Sequence, residues 1–247
     1  AAVLALGAAA GVPGSVGVVE GDGEIPYKPE TAAMRKENGE HWIDRDPELK
    51  CYLPGIPRAM YMPYPFQIVQ STNKVHMAFA FTSTARTINL DEVEPPPDDT
   101  YMGHSVGRWE GDTLVVDVTG FNGKNWFDRA GNFHSDSLHL VERFSPITPD
   151  VIRYEVTIED PKTFTRPWRI SMPLYRRMEP NAQLLEYRRG VPLREPSKAA
   201  VGQTVGGRYD HRGHHAESAA RGPAPRLVPP VALFVLARNA PKRAGGG

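Results

Sequence analysis

Cysteine is almost absent: Cys51 is the only one in the 247 residues. No intrachain disulfide can therefore hold this fold, and with no base identifiable beside it Cys51 reads as a small apolar side chain rather than a nucleophile. Long apolar runs are missing too. Residues 1–10 and 231–237 are the most apolar stretches near the two ends, and both fall far short of the roughly 20 residues a membrane-spanning helix needs. The body also lacks an excess of positive charge. Net charge is zero, but residues 188–247 hold 11 Lys+Arg against 3 Asp+Glu, leaving 18 against 26 in residues 1–187. An acidic body has no coherent basic face for phosphate, which argues against nucleic acid as a partner.

What is present divides the chain into three. Residues 1–23 begin with the small apolar run Ala-Ala-Val-Leu-Ala-Leu-Gly-Ala-Ala-Ala and continue as a Gly, Val and acid linker. This is the pattern of the back half of a secretory signal, and it predicts a periplasmic or secreted protein. Residues 24–187 carry the periodic patterns of a folded domain. Residues 188–247 are dominated by Ala, Gly, Arg and Pro, with 35 of 60 residues of these types. That composition predicts a disordered basic tail, and the abrupt change at Tyr187 suggests an out-of-frame ending.

Within 24–187, one short helix is expected at 31–43 with Thr31 as its cap. The Pro-rich run 51–65 is expected to lie as an extended strap on the domain. Strands are then expected at 66–70, 75–81, 86–90, 106–109, 113–119, 138–144, 151–159, 168–174 and 183–187. Segment 151–159 shows the alternation best, with Ile152, Tyr154, Val156 and Ile158 on one face and Arg153, Glu155, Thr157 and Glu159 on the other. One face is buried and the other wet. Short strands joined by tight turns predict a mainly β fold, an antiparallel up-and-down barrel of lipocalin-like kind, with a two-sheet sandwich as the alternative.

The stretch Met102-Gly-His-Ser-Val-Gly-Arg-Trp-Glu-Gly-Asp-Thr-Leu-Val-Val-Asp-Val-Thr-Gly-Phe121 is distinctive. So are Asp128-Arg-Ala-Gly-Asn-Phe-His-Ser-Asp-Ser-Leu-His-Leu-Val-Glu-Arg-Phe144 and Tyr154-Glu-Val-Thr-Ile-Glu-Asp-Pro161. Together they resemble a family of exported soil-bacterial β proteins carrying the MGHSVGRWEGDTLVVD motif. The resemblance covers about residues 51–187 and brings no established activity with it. Beyond Tyr187 this chain departs from the family's ordinary domain ending, in line with an out-of-frame tail.

His104, His134 and His139 are the candidate acid-base groups, with Asp117, Asp128 or Asp136 as the carboxylate that orients one of them. His104 is expected at the mouth of the barrel. Arg108 and Arg143 are candidates to hold an anionic or enolate oxygen, and Trp109 and Trp126 to line the ligand. No metal is expected: on a strand His139 and Glu142 point to opposite faces. No cofactor is implied. Gly103-His-Ser-Val-Gly107 matches the serine-hydrolase elbow literally, but a strand and not a helix follows it, so Ser105 is not taken as a nucleophile. Two functions follow. One is an exported acid-base lyase, isomerase or hydrolase on a small molecule, in which His134→Ala would abolish turnover and leave thermal unfolding nearly unchanged. The other is a non-catalytic binder of an apolar or aromatic ligand. The oligomeric state is left open.

Overall fold

A computed structural model of the chain describes residues 19–62, 64–179 and 182–184, together with the backbone of 232–238. Helices α1 (Pro29–Glu40), α2 (Trp42–Arg45) and α3 (Arg58–Tyr61) precede the strands, with a 3-10 turn at Pro47–Lys50. The strands are β1 (Phe66–Gln70), β2 (Lys74–Phe79), β3 (Ala85–Asn89), β4 (His104–Glu110), β5 (Thr113–Thr119), β6 (His139–Thr148), β7 (Val151–Glu159), β8 (Trp168–Arg176) and β9 (Ala232–Arg238).

The fold is mainly β, as the alternation predicts. Strands β1 to β8 make one curled sheet, a half-barrel in which β1–β2–β3 and β4 through β8 pair antiparallel. In β7, Tyr154, Val156 and Ile158 are fully buried while Arg153, Glu155 and Thr157 face outward. Two details depart from a pure up-and-down order. β3 and β4 pair in parallel through Ile88↔Ser105 and Asn89↔Val106, because the acidic Pro-rich segment 90–103 carries the chain back across before β4 starts. β9 lies parallel to both β8 and β1 and completes the closed order.

Four sequence expectations need correction. The tail 188–247 is not without structure throughout: Ala232–Arg238 is a strand, which its apolar run permits, and the rest of the tail lies outside the described residues. No strand is present at Gln183 and Leu184, and 185–187 also lie outside them. The first helix starts earlier than Thr31, at Pro29, whose fixed φ and missing N–H suit a first turn. Thr31 instead sends its hydroxyl to the Lys28 carbonyl (3.0 Å) or the Thr163 carbonyl (2.7 Å), fastening α1 to the turn before β8.

The fourth concerns 51–65, which is no surface strap. Gly55, at φ 71°, turns the chain where an added Cβ would collide with the Asn125 amide. The chain then dives inward, and all four residues of α3 are buried. Ile56, Met60 and Tyr61 join the same apolar core as Phe66, Phe79 and Phe127. An exposed run of Tyr, Met and Ile would leave too much apolar surface in water, so it plugs one end of the barrel.

The plug brings charge with it. Arg58 makes two bonds to the Asp46 carboxylate, at 3.0 and 2.9 Å, and a third to Glu48, all three residues being buried. Arg129 closes the group on Glu48 at 2.9 and 3.2 Å and lies over the Trp42 ring. Burial alone would lower the Arg58 pKa, but Asp46 and then Glu48 push it above its ordinary value.

A candidate ligand cavity at the barrel mouth

At the end of the barrel away from α3 the inward-facing side chains leave space unfilled. The cavity is about 300 Å³ and is lined by Ile68, Val75, Met77, Leu114, Phe144 and Ile152, with Trp109, Asp112, Gln70 and Pro146 at its rim. Each lining residue of the wall sits on the inward parity of its strand, so the cavity is the barrel interior itself. The tight turn Gly111-Asp112 between β4 and β5 forms one lip. Gly111, at φ 59°, supplies the left-handed conformation a two-residue hairpin requires. Trp109 is half exposed beside it.

Deeper in the barrel lies a polar group that sequence reasoning missed. Arg86 donates from Nε to Ser105 Oγ (2.9 Å) and from Nη1 to Glu142 Oε1 (3.1 Å), with a further Nη2 bond to Glu142. Tyr154 donates its hydroxyl to Glu142 Oε1 at 2.7 Å. Burial, and then the Glu142 carboxylate, hold the Tyr154 hydroxyl well above its ordinary pKa. Glu142 and Tyr154 are fully buried and none of the four lines the cavity. Met77, opposite Arg86, and Phe144, against the Tyr154 ring, do line it. The signal available in sequence was parity: Glu142 lies between Leu140 and Phe144 on the inward face.

The three candidate histidines do not gather at the cavity. His104 begins β4 at the opposite end, on the outer face, with its Nε2 buried and unpartnered among the described residues. It lies at an end of the barrel but does not project into the interior, because Ser105 and not His104 has inward parity. His139 is also on the outer face. It bonds Asp117 at 2.7 Å and lies 3.4 Å from Glu159, so it is an oriented histidine, but one facing solvent. The divergence expected for His139 and Glu142 is present in the structure: one faces out and the other is sealed inside.

His134 is sealed as well. Its ring packs against Phe127 (5.1 Å) and Phe121 (5.8 Å). Nδ1 bonds the Ser135 carbonyl at 2.8 Å, which leaves Nε2 as a buried lone pair without a partner. The loop is held by Asp160, which accepts from the Ser135 N–H (2.6 Å) and hydroxyl (2.8 Å). Burial pushes the His134 imidazole below its ordinary value, against the Ser135 carbonyl and Asp160, which favour the proton. The neutral ring is therefore the folded form. Unfolding frees a group of pKa about 6.5, so the unfolded state binds more protons and stability falls as pH drops below that value. His134→Phe is expected to flatten this slope, as chemical denaturation at a series of pH values would show. His134→Ala should cost about 2 kcal/mol by opening a hole between two phenylalanines. The expectation that it would leave unfolding nearly unchanged does not fit this burial.

The remaining candidates have structural occupations. Asp128, buried, accepts from the Ala130 and Asn132 N–H groups and from the Asn132 amide, organising a turn. Asp136 is exposed and bonded to Lys162 (2.6 Å), which lowers its pKa. Arg108 and Arg143 both reach Glu110 at 3.0 Å on the outer face and are not available to an anion in the cavity. Those two bonds, Arg143 first, lower the Glu110 pKa. In register the pair flanks Val115, which is fully buried although it points outward. Trp126 is buried and pairs with Phe133, away from the cavity. Of the ten candidates only Trp109 lines it.

No metal-binding cluster of His, Cys, Asp and Glu is present among the described residues. No helix among them is long and apolar enough to cross a membrane. Comparison with family models, with curated proteins and with solved structures gave no match.

Proposed function

We propose that the protein is a non-catalytic binder of a small apolar or aromatic molecule, held in the mouth of the barrel. The supporting observation is the cavity wall: six inward apolar side chains, open at a lip carrying a half-exposed tryptophan. A cavity of about 150 Å³ lined by such residues holds a benzene ring, so about 300 Å³ suits a two-ring molecule. Ligand sites are commonly of this kind, mostly apolar with a few polar groups at the edge. The acid-base alternative has its oriented histidine in His139, but that ring lines neither the barrel cavity nor the pocket of about 210 Å³ beside its partner Glu159.

Titration with the two-ring naphthalene dye prodan tests the proposal. Binding should saturate at one probe per chain and quench tryptophan fluorescence. Leu114→Trp and Val75→Phe, which fill the cavity from two strands, should each weaken binding at least tenfold with thermal unfolding retained. Equal binding by the wild-type protein and both variants would place the probe elsewhere and overturn the reading.

A further inference from the structure

The cavity's rim is chemically one-sided. Asp112 is the only charged side chain among its described lining residues. Asp112 also forms no ion pair among the described residues, whereas Arg108 and Arg143, on β4 and β6, are both taken by Glu110 on the outer face. Next to it stands the Trp109 ring, half exposed and lining the same opening. Gln70, the other polar lining residue with a functional side chain, is neutral and can accept as well as donate. A carboxylate and an indole on one rim can together recognise an ammonium ion, the first by charge and the second by the ring quadrupole. The same pair repels a carboxylate or phosphate. This reverses the polarity expected from sequence, where the arginines were candidates to hold an anion.

Resting on the cavity reading above, we infer that the ligand is an apolar or aromatic amine: its two-ring body lies among Met77, Leu114 and Phe144, and its protonated nitrogen sits at the lip between Asp112 and Trp109. Both contacts are open to solvent, so the preference is modest, about three- to tenfold over a neutral head group. It should shrink with added salt.

Three probes with one body and different heads test this: 2-(1-naphthyl)ethylamine, 2-(1-naphthyl)ethanol and 1-naphthylacetate, titrated calorimetrically at low ionic strength. The amine is expected to bind three- to tenfold tighter than the alcohol, and the carboxylate most weakly. Asp112→Asn should bring the amine-to-alcohol ratio close to one, and Asp112→Glu should keep it above one. Equal affinity of amine and alcohol, or a ratio that survives Asp112→Asn, overturns the amine assignment while leaving the cavity as an apolar site. Failure of all three probes to bind overturns the cavity reading and the assignment together.

Discussion

Glu142→Gln is expected to lower the stability of the barrel by about 3–5 kcal/mol. The substitution preserves shape and removes only charge, so the loss would measure what it costs to leave Arg86 as an uncompensated cation in the barrel interior. Arg86 has Ser105 on one side and Glu142 on the other, and no solvent reaches the carboxylate. Tyr154 would keep an acceptor in the amide oxygen but lose the charge that makes its 2.7 Å bond strong. Replacing both partners by apolar groups, Arg86→Met with Glu142→Leu, should recover most of the loss, since a buried ion pair is rarely much better than well-packed apolar side chains. Urea midpoints of the single and double variants check both statements. A single-variant loss under 1 kcal/mol would mean that water reaches the pair.

Arg58→Met should be comparably damaging, about 3–5 kcal/mol, for the opposite reason: it strands anions. Arg129 still covers Glu48, so the exposed cost falls on Asp46, which loses both guanidinium bonds and keeps only the Glu48 N–H. A stranded buried carboxylate has a raised pKa in the folded state, so the folded variant binds more protons than the unfolded one and gains relative stability as pH falls. The deficit against wild type should therefore narrow on acidification. A deficit that stays constant or widens as the pH is lowered would show that Arg58 acts through packing rather than charge.

The strands were legible because they are half-buried and tightly turned. Segments 66–70, 113–119 and 151–159 coincide with β1, β5 and β7, where Val, Ile, Thr and Tyr alternate with polar groups between Gly, Asp and Pro turns. The polar interior was overlooked for the same reason. Alternation equates inward parity with apolar side chains, so Arg86, Ser105 and Glu142 were not joined into one group although each has inward parity. The cavity was hidden differently. Ile68, Met77, Leu114 and Phe144 are what a filled core would also use, and their spacing does not tell which end of the barrel α3 fills. Histidines drew notice because their pKa suits catalysis, yet a tautomer fixed by a neighbouring carbonyl, as at His134, depends on a loop held by distant partners such as Tyr27 and Asp160.

The parallel seating of β9 between β8 and β1 has a kinetic consequence. From β2 to β8 each strand pairs with its predecessor, across turns or short connections except before β4 and β6, whereas Phe66 must find Phe234 near the far end of the chain. Contacts of such separation are slow to form because the intervening chain loses its freedom before the pairing rewards it. The ladder from β4 to β8 should assemble first and the seam close last. In hydrogen exchange, amides of β6 and β7 would then be the slowest to open and those of β1 facing β9 among the earliest.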